Sequence, residues 1–450
     1  MQKFSRASNA LLLICSVSCC SSVFAAGFYN DLQSVSAMGN AFAGAGAAGD
    51  DASISFYNPA GLMLLKEGQL VLSGIYADLN SDLTVDYVAD SLGNPKSGAG
   101  EQYSALPNQL SPALYAAAPL GDSFVLGMSV TSPYEITSDY TDAVIDNTAR
   151  QTQFIAYTGN LSLAMALTKQ LSLGIGGNLQ YFKAKMNADI GAPLPGSSPT
   201  VTLSGFTEYT GDDIAFYPNF GLLYEFNEDI RLGLNYRMHV DQETHGNLLT
   251  DITLQEGSTS ISEDSSIPGT SLFLFPDIFS INLFYQPVKK VELLADVMFT
   301  RWSRFQAVTV NTEQKFGNST QPVDTTLDFR DTWRVGVGVN YYFTPAIKLR
   351  TGLAYDQSPV TDETRTFQGP DSNRVDAAVG LMYKPKIWKK TYFDVAYMHT
   401  FFQDGTASEL NPVARIIPPT LNYPNIGGIS ATGSFKTSAD FFGLQLVHLM

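Results

Sequence analysis

The residues whose types could perform chemistry are few in this chain, and a run of glycines is the most suggestive of them. Gly44-Ala45-Gly46-Ala47-Ala48-Gly49 matches the dinucleotide-binding pattern G-x-G-x-x-G letter for letter. That pattern binds a nucleotide only when a buried strand precedes it and a ribose-binding carboxylate follows about twenty residues later. Here the later position falls near Gln69 and Leu70, with no such carboxylate. The run therefore predicts no nucleotide site.

Histidines are the other residues that could act as metal ligands or catalytic bases. The four of them, His239, His245, His399 and His448, are scattered, and none has Cys, Asp or Glu at metal-ligand spacing. His399 could be the base of a barrel lipase or protease, but the chain has no G-x-S-x-G nucleophile elbow. We therefore expect no enzyme activity, no catalytic residues, no metal and no cofactor, with His399 as a strand residue near a rim.

Charge and composition restrict the class of protein. The chain has 27 basic and 43 acidic residues, a formal net charge of −16, which argues against nucleic acid as a partner. Only 16% of residues are charged, 12% are aromatic, and the mean hydropathy is −0.01. This mixture is typical of a barrel whose apolar outside is averaged against a polar inside.

The first 25 residues predict a secretory signal peptide. Two basic residues precede an apolar stretch at 10–17 and small residues that end at Ala25. Cleavage after Ala25 would remove all three cysteines, so we expect neither a disulfide nor a thiol nucleophile in the mature protein. A lipid-anchored form, acylated on Cys19 or Cys20, is the alternative, although the preceding residues form a poor lipobox.

Alternation with a period of two residues indicates the fold class. From Trp333 to Phe343 apolar residues alternate with Arg334, Gly336, Gly338 and Asn340, and similar runs recur around 171–179, 230–238 and 347–356. These runs reach about ten residues, longer than the strands of soluble sandwiches, and no stretch after the signal peptide is apolar enough for a spanning helix. About fourteen such segments, joined alternately by short and long connections, predict an all-β, fourteen-stranded antiparallel transmembrane β-barrel with both ends in the periplasm.

Residues 26–67 do not fit the alternation. They are rich in Gly and Ala and include Asn58-Pro59-Ala60-Gly61. Because a barrel of this width would otherwise leave an open lumen, we expect this segment to fold inside it as a plug. A disordered periplasmic extension is the alternative. The predicted organisation is a signal peptide at 1–25, an N-terminal hatch at 26–67 and a barrel at 68–450.

Several motifs carry a specific resemblance to a known family. They begin with residues 34–44 (SVSAMGNAFAG) and 57–62 (YNPAGL), and they continue through 127–134, 302–305, 330–338 and 350–360. Together these motifs resemble the FadL family of outer-membrane long-chain fatty acid and hydrophobic compound transporters, over nearly the whole mature chain.

The resemblance implies two structural elements of a transport path. One is a hatch that carries Asn58, Pro59 and Ala60. The other is a kinked third strand that opens a side gap toward lipid, which falls here on Ser132, Pro133, Tyr134 and Glu135. Proline cannot donate a ladder hydrogen bond, so it has a physical reason to break pairing, although a strand-end turn is its plainer interpretation. Relatives often have glycine where Glu135 stands, so its carboxylate could narrow or charge the gap.

The implied function is passive uptake across the bacterial outer membrane. Long-chain fatty acids would be captured by the outer loops, enter an apolar lumenal pocket and leave sideways into the bilayer, without a cofactor. The partners would be these hydrophobic small molecules, with outer-membrane lipid and lipopolysaccharide around the barrel. The loops at 188–211 and 250–270, which by resemblance form the capture groove, look short.

The basic residues that the resemblance implies for binding the fatty carboxylate do not map directly onto this sequence. Ala188 stands where a cation is expected at the end of the fifth strand. Four arginines that the alternation places in the lumen could replace it, but they could equally be paired or solubilising charges. These four candidates are Arg231, Arg237, Arg334 and Arg350.

Two other functions remain open at this point. Without a clear cation for a carboxylate, the cargo could be neutral hydrophobes such as aromatic hydrocarbons. The chain could also be a surface adhesin or structural barrel, in which the long final loop at 403–436 would make the contacts.

Overall fold

The computed structural model describes residues 27–89, 95–104, 106–141, 143–145, 150–193, 201–312, 323–410 and 429–450. The predicted signal peptide and much of the predicted final loop lie outside these ranges. No helix in the described ranges is both long and apolar enough to cross a membrane.

Within these ranges, twenty strands form one sheet. They are β1 (Gln69–Val88), β2 (Gln102–Ser104), β3 (Gln109–Leu120), β4 (Phe124–Asp139), β5 (Gln151–Ala166), β6 (Leu171–Pro193), β7 (Val201–Glu225), β8 (Ile230–Arg237), β9 (Asp241–Glu256), β10 (Thr259–Leu274), β11 (Ile278–Val288), β12 (Val291–Thr300), β13 (Ala307–Thr312), β14 (Val323–Thr326), β15 (Thr332–Thr344), β16 (Ile347–Asp356), β17 (Arg374–Tyr383), β18 (Thr391–Phe402), β19 (Gly405–Leu410) and β20 (Ile429–Leu449).

The strands make fourteen antiparallel passes around a closed barrel. Six passes consist of two strands end to end, namely β2 with β3, β8 with β9, β10 with β11, β12 with β13, β14 with β15, and β18 with β19. The last strand pairs with the first from Gln69↔Leu449 to Val88↔Ala431, which closes the sheet. The predicted fourteen-stranded barrel with an N-terminal plug is confirmed.

The alternation in sequence becomes an outer and an inner face. On β15 the side chains of Trp333, Val335 and Val337 are exposed on the outside, whereas Arg334 and Asn340 are buried inside. Side chains of neighbouring residues in a strand point to opposite faces of the sheet. The apolar set therefore contacts lipid and the polar set lines the lumen, as the sequence predicts.

A row of aromatic residues marks the outer edge of the apolar band. Phe220, Tyr236, Phe279, Phe299 and Trp333 are cross-strand neighbours on five consecutive passes. Membrane barrels place aromatic girdles at the boundary between hydrocarbon and head groups. The row therefore locates the outer-leaflet boundary at the level where β8 and β12 end.

The prediction that 188–211 and 250–270 are loops is wrong. Strand β6 continues to Pro193 and pairs with β7 from Val201, and β9 reaches Glu256 before β10 begins at Thr259. Beyond the membrane both faces of a hairpin meet water, so the apolar alternation disappears although the backbone pairing continues. Hydropathy therefore marks the end of the lipid contact, and the strands extend well past it.

Residues 27–65, which make up most of the predicted hatch at 26–67, lie inside the barrel, and the segment is called the hatch below. They contain three short helices and a 3-10 helix, which are α1 (Val35–Met38), α2 (Ala45–Ala48), α3 (Ile54–Tyr57) and η1 (Pro59–Leu64), while a second 3-10 helix, η2 (Trp302–Arg304), follows β12.

Glycines on the lumenal face of the wall let the hatch backbone approach closely. A Cβ atom at Gly174 would overlap the backbone of Pro59 and Ala60, and one at Gly352 would overlap the backbone of Asn40. Backbone packs directly on backbone at these points, which fixes the depth and orientation of the hatch. We call Gly174 and Gly352, where the hatch backbone rests directly on the wall, the glycine seats of the hatch.

We expect Gly174→Val to loosen the hatch without damaging the barrel. The added side chain would have to displace η1, and overpacking of this kind costs about 1–3 kcal/mol. Amide hydrogen exchange of residues 54–64 should become roughly tenfold faster in the purified barrel. Gly159→Val is the matched control, because nothing lies within 4 Å of a Cβ there. Equal exchange in the two variants would contradict this account of the seat.

Candidate functional site

The barrel wall is interrupted between β3 and β4. Pairing of these strands runs from Leu120↔Phe124 to Leu114↔Val130 and stops there. Beyond that point β3 pairs only with β1, and β4 pairs only with β5, with a register shift between Thr131 and Tyr134. The exposed side chains of Leu110 and Val130 flank the interruption on the outside. We call this break in the strand pairing the side gap.

The first hatch residues occupy the unpaired edge of β4. The amide of Asn30 donates to the carbonyl of Pro133 at 2.8 Å, and the amide of Glu135 donates to the carbonyl of Phe28 at 2.9 Å. These are the hydrogen bonds that an adjacent strand would make. The hatch thus replaces the missing neighbour of β4 over a few residues.

The side chain of Gln33 completes this contact and reaches toward β3. Its amide donates to the carbonyl of Ser132 at 2.8 Å and accepts from the amide of Ser132 at 3.0 Å. The hydroxyl of Tyr115 on β3 donates to the backbone carbonyl of Gln33 at 2.8 Å, and the Asn30 side chain lies 3.3 Å from the Ser111 hydroxyl. One short hatch segment therefore bridges both edges of the gap.

The structure brings the four predicted kink residues, Ser132, Pro133, Tyr134 and Glu135, together at this gap. Glu135 is buried, and its one described side-chain hydrogen bond comes from the Ser132 hydroxyl at 3.4 Å. Sequence reasoning missed the role of residues 28–33 opposite them. Only the position of this segment at the start of the predicted plug could have suggested that role.

An aromatic pocket lies behind the gap, and the Phe28 side chain fills it. Its ring centroid lies between 4.8 and 6.5 Å from those of six other rings, which belong to Tyr134, Phe154, Phe275, Trp302, Phe305 and Phe329. The indole N–H of Trp302 is buried and has no hydrogen-bond partner among the described residues. The pocket is therefore apolar apart from the unpaired N–H of Trp302, and Phe28 closes it.

The Asn58-Pro59-Ala60 element fastens the hatch at its lower end. The Asn58 side chain accepts from the Ala60 amide at 3.0 Å, which caps η1, and Pro59 occupies the first position of that helix. The amide group of Asn58 also donates to the carbonyls of Gly46 at 2.8 Å and of Leu222 on β7 at 3.1 Å. One side chain thus joins two parts of the hatch to the wall.

Buried ion pairs hold the hatch on the opposite side of the lumen. Asp50 pairs with Lys348 and, at 3.3 Å, with Arg350; these cations also face Glu292 at 3.5 Å and Asp394 at 3.0 Å respectively. Buried charges are stable only when they are paired. The lower lumen is therefore a charged, hydrogen-bonded region, in contrast to the aromatic pocket above it.

The structure places the four predicted carboxylate contacts at separate points around the hatch. Arg350 pairs with Asp50 and Asp394. Arg334 faces Asp296 at 3.0 Å and Asp31 at 3.6 Å. The other two donate to hatch carbonyls, Arg231 to Ala48 at 3.0 Å and Arg237 to Phe56 at 2.9 Å. All four contact the hatch or its ion pairs, and their predicted role toward a carboxylate stays a prediction.

His399 lies on the outer face of β18. Its Nδ1 atom is 2.7 Å from a carboxylate oxygen of Asp440, and its ring packs against Phe401. Across the described ranges, no group of His, Cys, Asp and Glu is arranged to hold a metal ion.

A closed barrel with a lipid-facing surface, a lumenal plug and a gap in its wall defines a membrane channel of the outer-membrane type. The family model described as outer membrane protein transport protein (OMPP1/FadL/TodX) matches residues 16–447, and the chain belongs to this family. Its members are outer-membrane transporters of hydrophobic compounds. The protein is accordingly an outer-membrane transporter of hydrophobic small molecules, and the resemblance seen in the sequence is confirmed.

Two relatives illustrate the match in sequence. The 47 kDa outer membrane protein of Pasteurella multocida is 28% identical over 94% of this chain and 100% of its own length. The long-chain fatty acid transport protein of Escherichia coli O6:H1 is also 28% identical, over 84% of this chain and 87% of its own.

Two solved structures share the fold. A FadL homologue from Pseudomonas aeruginosa has a TM-score of 0.80 at 20% identity, covering 94% of this chain and 99% of its own. The toluene transporter TbuX of Ralstonia pickettii has a TM-score of 0.61 at 14% identity, covering 95% of this chain and 100% of its own. At these identities the likeness shows the barrel and leaves the cargo open.

We expect Asn58→Asp to loosen the hatch as much as Asn58→Ala does. Aspartate keeps the oxygen that caps η1, but it loses the donors to Gly46 and Leu222 and places a negative charge against both carbonyls. Faster amide exchange of residues 58–64 in both variants is the expected result. Wild-type exchange in Asn58→Asp would mean that the cap alone fastens this end.

The ion pairs of Asp50 should hold the hatch across the physiological pH range. Burial opposes ionisation, but the charges of Lys348 and Arg350 outweigh it and hold the pKa of Asp50 below its ordinary value. The anchoring is therefore complete above the ordinary aspartate pKa, and it is lost only as the pH falls through the lowered pKa.

Hydrogen exchange of the hatch, corrected for intrinsic rates, should thus stay constant from pH 7 to pH 5. Asp50→Asn should increase it already at pH 7, because asparagine resembles the protonated acid. The control is Asp122→Asn, which changes an exposed carboxylate in a periplasmic turn. An unchanged hatch in Asp50→Asn would show that the ion pairs are dispensable.

Proposed function

We propose that this protein takes up long-chain fatty acids passively and releases them sideways into the outer membrane through the gap between β3 and β4. The observation that carries the proposal is the position of that gap. It joins an aromatic lumenal pocket to the lipid-facing surface, and a short segment bearing Phe28 closes it.

Physical chemistry favours this route over a passage to the periplasm. A fatty acyl chain gains about 0.8 kcal/mol for each methylene that leaves water. Downward movement would take it past the ion pairs of Asp50, Lys348 and Arg350, which offer no apolar surface. Sideways movement keeps the chain against aromatic rings and then against lipid.

In the proposed mechanism, the ligand competes with Phe28 for the aromatic pocket. When the ligand displaces that ring, the hydrogen bonds of Asn30 and Gln33 to β4 break, and the gap opens. The remainder of the hatch stays seated, because Asn58 and Asp50 hold it elsewhere. No cofactor or energy source is required for this cycle.

The proposal assigns a role to each part of the chain. Residues 1–25 form a signal peptide, 26–67 the hatch and 68–450 the barrel, which lipid and lipopolysaccharide surround. The motif Asn58-Pro59-Ala60 is the fixed end of the hatch, and residues 132–135 form one lip of the exit. The relative named long-chain fatty acid transport protein supports the choice of cargo.

Neutral aromatic hydrocarbons are the second candidate cargo. The pocket behind the gap consists of aromatic rings, which suit toluene as well as an alkyl chain. The structure of a toluene transporter with the same fold supports this alternative.

The exit can be tested by a reversible lock across the gap. Asn30→Cys with Ser111→Cys joins the hatch segment to β3, since these side chains lie 3.3 Å apart, and the chain has no cysteine after Cys20. Cells that carry the double variant should import oleate only after reduction with dithiothreitol, whereas each single variant should import it regardless. Uptake by the oxidised double variant, with the cross-link verified by mass spectrometry, would exclude the lateral exit.

Toluene uptake measured in the same cells identifies the cargo. Import of oleate that depends on reduction supports the fatty acid assignment. Import of toluene without oleate in the wild type would transfer the assignment to neutral hydrocarbons.

A further inference from the structure

The turn between β17 and β18 differs from the other periplasmic turns in length and charge. Seven residues, 384–390, separate these two strands, whereas two to four residues form each of the other five periplasmic turns in the described ranges. Its sequence is KPKIWKK, and no acidic residue occurs between Ala377 and Phe393. This segment, called the basic turn below, therefore places four lysines and two large apolar residues at the base of the barrel.

The two apolar side chains of the basic turn project away from the protein. Ile387 is 84% exposed, more than any other large apolar side chain in the described ranges, and Trp388 is 53% exposed. Hydrogen bonds of the backbone position them, because the Trp388 amide donates to the Pro385 carbonyl at 3.1 Å and the Thr391 amide donates to the Trp388 carbonyl at 3.1 Å. Adjacent exposed apolar residues beside polar ones mark a surface that contacts a partner or a membrane.

Trp388 lies on the lipid-facing side of the barrel. Its ring centroid is 5.4 Å from that of Phe393, which points outward on β18 like the exposed Val395 two residues later. Phe393 is the cross-strand partner of Tyr383 on β17, and that tyrosine is 49% exposed. Aromatic residues at this end of a membrane barrel form the periplasmic girdle. The indole is therefore at the boundary between the hydrocarbon and the head groups of the periplasmic leaflet.

Three lysines of the basic turn are free to meet an anion. Lys386, Lys389 and Lys390 are exposed, and no carboxylate in the described part of the chain lies within 4 Å of their ammonium groups. The fourth lysine is different, since the Lys384 ammonium lies over the ring of Tyr392 at 4.6 Å. A surface with several cations and no anion of its own fits a negatively charged partner.

We propose that residues 386–390 bind an anionic phospholipid of the periplasmic leaflet. Ile387 and Trp388 lie among its acyl chains, and the three lysines surround its phosphate. Basic residues beside a membrane attract anionic head groups, and apolar side chains at the same level fix such a segment in the interface. Because Trp388 packs on a lipid-facing ring, the molecule that covers it must itself reach the hydrocarbon boundary. The inference does not depend on the proposed cargo or on its route.

Two lipids with identical chains test the head group, namely dioleoyl phosphatidylglycerol and dioleoyl phosphatidylcholine. Native mass spectrometry of the wild-type barrel, with both lipids present equally, should show about tenfold more bound phosphatidylglycerol. Lys389→Gln combined with Lys390→Gln should reduce this preference to about twofold or less. The wild-type preference should also fall as the ammonium acetate concentration rises from about 0.1 M to about 1 M, because salt screens exposed charges.

The barrel contains a matched control for each half of the site. Lys289→Gln with Lys290→Gln removes two adjacent lysines from the periplasmic turn between β11 and β12, and it should leave the lipid preference unchanged. Trp388→Ala should weaken binding of both lipids roughly threefold, because less apolar surface leaves water. Phe226→Ala, which removes a ring that is 54% exposed in another periplasmic turn, should leave both unchanged. Heat-modifiable migration on gels establishes that each variant is folded.

Two results would overturn the inference. Equal binding of the two lipids by the wild type would mean that the basic turn does not select an anionic lipid, and an acidic periplasmic protein would then be the better occupant. An equal loss of preference in the two lysine pairs would show that the net charge of the periplasmic side, and not this turn, attracts the lipid. Neither result would affect the proposed uptake function.

Discussion

Backbone hydrogen bonding in a bilayer is the constraint on which this structure depends. Lipid offers no partner for an unpaired amide or carbonyl, so a membrane-spanning sheet must close on itself. This barrel closes through β20 and β1, yet it leaves the edges of β3 and β4 apart. The interruption is tolerable because the backbone of Phe28 and Asn30 and the amide of Gln33 satisfy β4 from within. A removable segment thus takes the place that a permanent strand would fill.

The interior is divided into two regions with different physical characters. Near the gap the surface is aromatic, with Phe28, Trp302 and Phe305 packed edge to face. Farther down, buried ion pairs such as Asp50 with Lys348 join the hatch to the wall. An apolar solute is stabilised in the first region and excluded from the second. This division supports movement in the plane of the membrane more than across it.

The barrel could be predicted from sequence because lipid imposes a strict alternation on runs such as 333–343, and the arginines fell correctly on the lumenal face. The long hairpins outside the membrane were missed, since water on both faces removes that alternation. The contact of Phe28 and Asn30 with β4 joins residues about a hundred positions apart, which no local pattern encodes. Alternation also cannot distinguish Arg237, which donates to a hatch carbonyl, from Arg334, which faces Asp296, because only the fold determines the partner of each cation.

The glycine seats restrict which amino-acid substitutions related chains can accumulate. On the lipid face, Val335 and Val337 could exchange with other apolar residues independently. At Gly174 and Gly352 the wall and the hatch share one van der Waals surface, so any larger residue requires a compensating retreat by Ala60 or Asn40. Substitutions at these positions are therefore coupled in pairs. A hatch transplanted from a distant homologue would carry the wrong half of each pair, and a chimera of that kind would assemble with its plug displaced.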